Sequence, residues 1–147
     1  MKRIVMLAVV SVATIALTAG LATASGREAR LQLRNTSKGK ILVDRAGFTL
    51  YMFTRDQRNK DACVKLGGCT AIWPPLTTSG KPLAGPGVKS SLIGTIKVPH
   101  VGTQVTYAGH PLYTYIGDPG PGSTSYIGAL QFHGFWYALT AAGHAVK

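Results

Sequence analysis

Acidic residues are scarce in this sequence, and their scarcity sets its charge. The 147 residues include five Asp and Glu against 16 Lys and Arg, for a formal net charge of +11. A basic surface favours anionic partners such as cell-wall polymers or membrane-surface components. The alternative is that the positive charge keeps the protein soluble and has no dedicated ligand.

The patterns that accompany common catalytic sites are also missing. Only Asp56 and Asp61 lie close together among the carboxylates, so a hydrolase with paired carboxylates has no clear candidate pair. No Gly-x-Ser-x-Gly sequence is present, and no glycine-rich loop precedes a helical pattern. We therefore predict a non-enzymatic protein that carries no cofactor.

Cysteine is limited to Cys63 and Cys69. Their spacing is not Cys-x-x-Cys, which argues against a thioredoxin-like redox site and against covalent c-type haem. In an oxidising compartment a close pair is usually bonded, and Gly67-Gly68 lets the chain turn back, so we predict a Cys63–Cys69 disulfide. Because no cysteine precedes Cys63, we expect no lipid-anchored N-terminal cysteine.

Sustained helical periodicity is missing beyond the N-terminal segment. The chain has 18 Gly and 8 Pro, and short runs of β-branched and aromatic residues alternate with turn sequences. This pattern predicts an all-β domain over residues 40–147. Residues 25–39 contain few large apolar side chains, and we predict a flexible N-terminal arm there.

The N-terminus has the features of an export signal. Lys2 and Arg3 precede an uncharged apolar run over residues 4–21, and Ala22-Thr23-Ala24 provides small residues for a signal peptidase. We predict a signal peptide over residues 1–24 with cleavage after Ala24, although an uncleaved membrane anchor is the alternative. The mature protein would be secreted, either to the periplasm or to the extracellular cell envelope, with a charge of 11 − 2 = +9. Intracellular nucleic acid is then not an expected partner.

One sequence pattern occurs twice. Residues 43–56 and 105–118 share identical residues at a constant offset, namely Val43/Val105, Ala46/Ala108, Gly47/Gly109, Leu50/Leu112, Tyr51/Tyr113 and Asp56/Asp118. A tryptophan follows each copy, Trp73 and Trp136, and we expect both in the core. Two half-repeats, about 40–80 and 92–143, are therefore predicted to form one small sandwich or barrel-like domain.

The repeated tyrosines and aspartates are the first candidate site. Alternation along a strand places Tyr51 and Phe53 on one face, and likewise Tyr113 and Tyr115. In one interpretation Asp56 and Asp118 cap the turns that end these strands through backbone N–H groups. In the other they face an open pocket and contact a cation or a polar ligand.

Histidines are the second candidate. The four histidines show no short ligand spacing, but His110 and His133 could converge on Cu or Zn. This gives the alternative function, a metal-binding or redox-linked envelope protein that uses the repeat aspartates and histidines.

The motifs resemble a known family. Residues 51–56 and 113–118 both fit Tyr-x-[Phe/Trp/Tyr]-x-x-Asp, and Cys63…Cys69 followed by Ala71-Ile72-Trp73-Pro74-Pro75-Leu76 is similar to the block that accompanies the first copy. Over residues 41–143 the chain resembles the bacterial secreted-repeat family described as predicted lipoproteins with a Yx(FWY)xxD motif. The resemblance implies the fold and an envelope location, and the family has no established biochemical function. Together with the charge, it favours a secreted or cell-envelope protein that binds an anionic envelope component.

Overall fold

The computed structural model describes residues 28–147. The predicted signal peptide and its cleavage after Ala24 lie outside the described residues. None of the helices within residues 28–147 has the length and hydropathy of a transmembrane span.

Strands dominate this part of the chain. They are β1 (Arg30–Thr36), β2 (Gly39–Val43), β3 (Tyr51–Phe53), β4 (Leu83–Ala84), β5 (Ile93–Val98), β6 (Gly102–Tyr107), β7 (His110–Pro111), β8 (Ala129–Gln131), β9 (Gly134–Leu139) and β10 (Ala145–Val146). The one α-helix described is a single turn, α1 (Cys69–Ile72), and 3₁₀ turns occupy Cys63–Lys65 and Ser90–Leu92. The all-β prediction is confirmed.

The strands form three sheets that pack in a sandwich-like arrangement. Their orders are β2-β1-β4, β10-β9-β3 with β8 also on β9, and β5-β6-β7. The antiparallel hairpins β1–β2 and β5–β6 occupy equivalent places in the two repeats. Gly47 and Gly109 follow these hairpins at φ +90° and +86°, a conformation that glycine adopts without the steric cost of a Cβ.

The prediction of a flexible arm over residues 25–39 is wrong for residues 30–36. These residues form β1, which pairs with β2 in antiparallel fashion and with β4 in parallel fashion. Leu31 is fully buried and Leu33 packs against the same cluster, since alternate side chains of a strand point to one face. The first half-repeat therefore begins near residue 30, and not near residue 40.

The two repeats exchange strands. Strand β3 of the first repeat pairs with β9 of the second, with Tyr51 opposite Ala138 and Phe53 opposite Trp136. In the equivalent exchange, Tyr113 of the second repeat bridges to Pro75 of the first. The motif of the first repeat thus pairs with the strand that contains Trp136, and the motif of the second repeat pairs with the residues just after Trp73. The two repeats therefore interlock.

Two buried clusters lie on either side of the motif strands. One unites all three sheets through aliphatic side chains and Tyr107, including Leu31, Leu42, Leu50, Val105, Leu112 and Leu139. The other is aromatic and contains both repeat tryptophans together with both cysteines. Trp73 and Trp136 are fully buried.

Candidate functional site

The two motif tyrosines meet at the centre of the molecule. Tyr51 and Tyr113 form an antiparallel bridge in which each backbone N–H donates to the other's carbonyl, at 2.9 and 3.0 Å. Because the two residues are equivalent in the repeat, this bridge marks the local pseudo-twofold relation between the halves. Both side chains are fully buried.

The tyrosines and aspartates pair across the repeats. The Tyr51 hydroxyl donates to the Asp118 carboxylate, with oxygen separations of 3.0 and 3.1 Å. The Tyr113 hydroxyl donates to the Asp56 carboxylate at 3.0 and 3.2 Å. We call these the crossed Tyr–Asp pairs. They explain why tyrosine and aspartate recur together in both motif copies.

The two aspartates differ in their remaining contacts. Asp56 Oδ1 also accepts a hydrogen bond from the backbone N–H of Ala62 at 2.8 Å, the kind of contact expected of a turn cap. The Asp118 carboxylate accepts hydrogen bonds from the Tyr51 phenol, and the Ser123 side chain lowers its pKa by hydrogen bonding. Tertiary contact between the repeats, more than the local turn, therefore positions these carboxylates.

Burial shifts the pKa values of the two aspartates and the two tyrosines in the crossed Tyr–Asp pairs. It raises the pKa of Asp56 to about 7, against the opposing effects of the Ala62 N–H and the Tyr113 hydroxyl, and it raises the pKa of Asp118. Burial, and then the neighbouring Asp118, raises the pKa of Tyr51; burial, Asp56 and Asp61 do the same for Tyr113. The phenols therefore remain protonated donors at neutral pH.

A column of aromatic rings lies beside the crossed pairs. The Trp73 and Trp136 rings stack with centroids 3.9 Å apart and planes 2° apart. Phe53 stacks on Trp136 at 4.1 Å, and Tyr115 lies against Trp73 at 4.2 Å, so each tryptophan packs on an aromatic side chain of the other repeat. These rings form the aromatic cluster of the core.

The disulfide is present as predicted from the spacing. Cys63 and Cys69 are bonded with their Cα atoms 5.4 Å apart, and both residues are fully buried. The bond joins the 3₁₀ turn at Cys63–Lys65 to the start of α1. It thereby holds Val64 and Lys65 in place.

The histidines lie in different surroundings. His110 is in β7, where burial, and to a smaller extent Arg58, lowers its pKa. His133 is exposed in the β8–β9 turn at φ +60°. Residues 28–147 contain no group of three or more His, Cys, Asp or Glu side chains placed to hold a metal ion.

The structure shows a cavity that the sequence did not predict. It lies between the β5–β6 hairpin and the start of the disulfide loop (Cys63–Cys69) with the residues just before it. It has a volume of about 420 Å³. Its rim carries Lys60, Lys65, Lys97 and His100, and its apolar lining is Val64, Ile96, Val98 and Pro99. We call this cavity the basic groove.

The basic groove is the middle of a longer basic surface. Lys97 also lines a neighbouring depression of about 630 Å³ that contains Lys81 and several serine and threonine residues. On the other side, Lys60 and Lys65 also line a depression of about 310 Å³ that contains Arg55. We call the five basic residues along these three depressions the basic belt: Lys81, Lys97, Lys65, Lys60 and Arg55.

Acidic and basic side chains differ in exposure. Among residues 28–147 none of the five Asp and Glu residues is exposed, whereas every lysine is exposed and Arg30 is the one arginine that is half-buried. Asp61, the carboxylate that lines part of the belt, is 8% exposed, and its Oδ1 accepts the Val64 N–H at 2.8 Å. The accessible surface is therefore basic.

Comparison with known proteins gives one family. A family model described as a secreted repeat of unknown function matches the chain twice, over residues 32–77 and 95–140. The two matches coincide with the two interlocked repeats, and the first begins within β1. No curated protein and no solved structure matches the chain.

Proposed function

The chain belongs to the family of secreted repeats of unknown function, and on that basis we propose that it is a non-enzymatic protein of the cell envelope that binds an anionic envelope component through the basic belt. The observation that carries the proposal is the separation of charge. Among residues 28–147 the carboxylate side chains are half-buried or buried, while every lysine is exposed. Such a surface attracts anionic polymers and membrane surfaces over several ångströms.

The arrangement of the belt supports binding more than solubility. Lysines from separate parts of the chain line adjoining depressions. Lys97 of β5 faces the same cavity as Lys65 of the Cys63–Cys69 loop and Lys60 just before that loop. Charge that served solubility alone would not require such convergence. The hydroxyl groups near Lys81 supply further donors for phosphate or carboxylate oxygens.

Binding to purified cell wall and to vesicles containing an anionic lipid tests the proposal. We expect binding at low salt and its loss near 0.5 M NaCl, because salt screens exposed charges. The variant K60E/K65E/K97E should bind at least tenfold more weakly.

The matched control is K38E/K40E/K147E, which changes the net charge by the same amount at exposed lysines outside the belt. It should retain most of the binding. Absence of binding at low salt, or equal losses in the two triple variants, would contradict the proposal.

A further inference from the structure

The basic groove has the largest set of apolar lining residues among the three depressions of the belt, four against Pro82 and Ile93 in one neighbour and Ala62 and Leu66 in the other. Val98 is 6% exposed, while Val64 and Ile96 are half-buried and line the cavity between the lysines. A chain of phosphates would gain nothing from these side chains. They provide a place for hydrocarbon directly beside positive charge.

The groove is also held in a fixed shape. One wall is the 3₁₀ turn that begins at Cys63, tied by the disulfide to α1, and the other is the β5–β6 hairpin, paired from Ile93↔Tyr107 to Val98↔Gly102. A site that is formed before the ligand arrives loses little conformational entropy on binding. Its volume of about 420 Å³ is within the range of small-molecule sites.

Charge selects the ligand. The rim carries three lysines, Lys60, Lys65 and Lys97. The groove is lined by one carboxylate, that of Asp61, which is buried. The Lys97 ammonium group also donates a hydrogen bond to the Thr103 hydroxyl, which lines the neighbouring depression. The rim therefore suits a phosphate group, and the lining suits the carbons attached to it.

We propose that the basic groove binds an anionic phospholipid, with the phosphate on the lysine rim and the first carbons of the acyl chains against Val64, Ile96 and Val98. This inference rests on the proposed function, because it names the envelope component that the belt would hold. It makes a distinct claim, since a ligand with hydrocarbon should bind more tightly than its head group alone. Each buried methylene is worth roughly fourfold in affinity.

Calorimetric titration of the full mature protein separates the contribution of the phosphate to the affinity from that of the hydrocarbon. The ligands are dihexanoyl phosphatidylglycerol below its micelle concentration, sn-glycerol 3-phosphate, and dihexanoyl phosphatidylcholine. We expect the phosphatidylglycerol to bind at least tenfold more tightly than glycerol 3-phosphate. The phosphatidylcholine should bind more weakly than the phosphatidylglycerol, because it carries no net negative charge.

Variants of the lining residues test whether the tighter binding of phosphatidylglycerol arises in the basic groove. Val64→Thr and Ile96→Thr each replace an apolar lining side chain with a polar one. Each should weaken phosphatidylglycerol binding about fivefold, because roughly one to two methylene contacts are lost, and leave glycerol 3-phosphate binding unchanged. Lys65→Gln should weaken both. Ile116→Thr is the control, since Ile116 is 61% exposed and lies outside the groove.

The result that would overturn the inference is equal affinity for the lipid and for glycerol 3-phosphate, or no effect of either threonine variant in a protein with the wild-type unfolding midpoint. Such a result would leave the cell-wall binding of the belt intact. Loss of the proposed function itself is measured separately by the wall and vesicle assay.

Discussion

The hydroxyl of each motif tyrosine donates a hydrogen bond to the aspartate of the other repeat, so the two motif copies complete one another. The Asp56 carboxylate accepts the hydrogen bond from Tyr113, and the Asp118 carboxylate accepts the one from Tyr51. The contacts bury both carboxylates in part, and this burial explains their raised pKa values. The motif therefore stabilises the interface between the two repeats.

The raised pKa of Asp56 predicts a dependence of stability on pH. Its pKa is about 7 in the folded protein against an ordinary value of 3.8, so between about pH 4 and 7 the folded state holds a proton that the unfolded state has lost. The free energy of unfolding should therefore fall as pH rises through this range. Urea unfolding at several pH values measures the slope, and Asp56→Asn should reduce it.

Two other groups contribute to that slope. Asp118 acts in the same direction because its pKa is also raised, whereas His110 acts in the opposite direction because its pKa is lowered. The difference between Asp56→Asn and wild type isolates the contribution of Asp56. Glu28→Gln serves as the control outside the crossed pairs. An unchanged slope in Asp56→Asn would contradict the assignment.

At the scale of elements, β1 shows how a polar segment can become part of the core. Its charged residues are exposed or half-buried, while Leu31 reaches the cluster that joins the three sheets. Strand β2 pairs with β1 over Gln32 to Thr36, and β4 pairs with it at Arg30 and Leu31. The strand is therefore integral to the domain.

Truncation of the Leu31 side chain should be costly. We expect Leu31→Ala to lower the free energy of unfolding by about 3 kcal/mol, because a fully buried leucine is replaced by a cavity. Leu83→Ala, at a leucine 37% exposed on β4, should cost less than about 1 kcal/mol. Urea unfolding followed by tryptophan fluorescence compares the two. Equal losses would mean that β1 is not part of the core.

The disulfide should stabilise a local element more than the whole fold. The cysteines are six positions apart, and closing so short a loop contributes about 2 kcal/mol. The unreduced protein should take up no thiol reagent after denaturation. The double variant C63A/C69A should lose about that stability together with binding in the basic groove. Labelling of the unreduced protein would contradict the bond.

At the scale of the molecule, the contacts that build the aromatic core join one repeat to the other. Strand β3 pairs with β9, the two tryptophans stack face to face, and the Tyr–Asp pairs cross. Neither half can bury its aromatic side chains alone. The repeats therefore form one folding unit, although the sequence pattern repeats.

This interlocking predicts that separate halves do not fold. Fragments 28–88 and 89–147 should each lack the near-ultraviolet circular dichroism of packed aromatic rings and should lack cooperative unfolding. An equimolar mixture should recover part of the signal, because the exchanged strands can pair again. A well-dispersed NMR spectrum from either isolated fragment would contradict the prediction.

Local sequence was sufficient to predict several features of the fold. Alternating apolar residues and turn sequences predicted the all-β class, the repeat predicted two related halves, and the cysteine spacing predicted the disulfide. The prediction of a flexible arm is wrong for residues 30–36, because Leu31 and Leu33 are the only large apolar residues there and their burial depends on strands that come later in the chain. The partners of Asp56 and Asp118 were missed for the same reason.

The sequence by itself determined the basic charge, the repeated motif and the pairing of Cys63 with Cys69, because each depends on composition or on residues near one another. Only the tertiary structure decided that Tyr51 pairs with Asp118 across 67 positions, and that Lys97 lies on the same rim as Lys60 and Lys65. These contacts arise from the exchange of strands between repeats and from the packing of the β5–β6 hairpin beside the disulfide loop. Distances along the chain carry no information about such contacts.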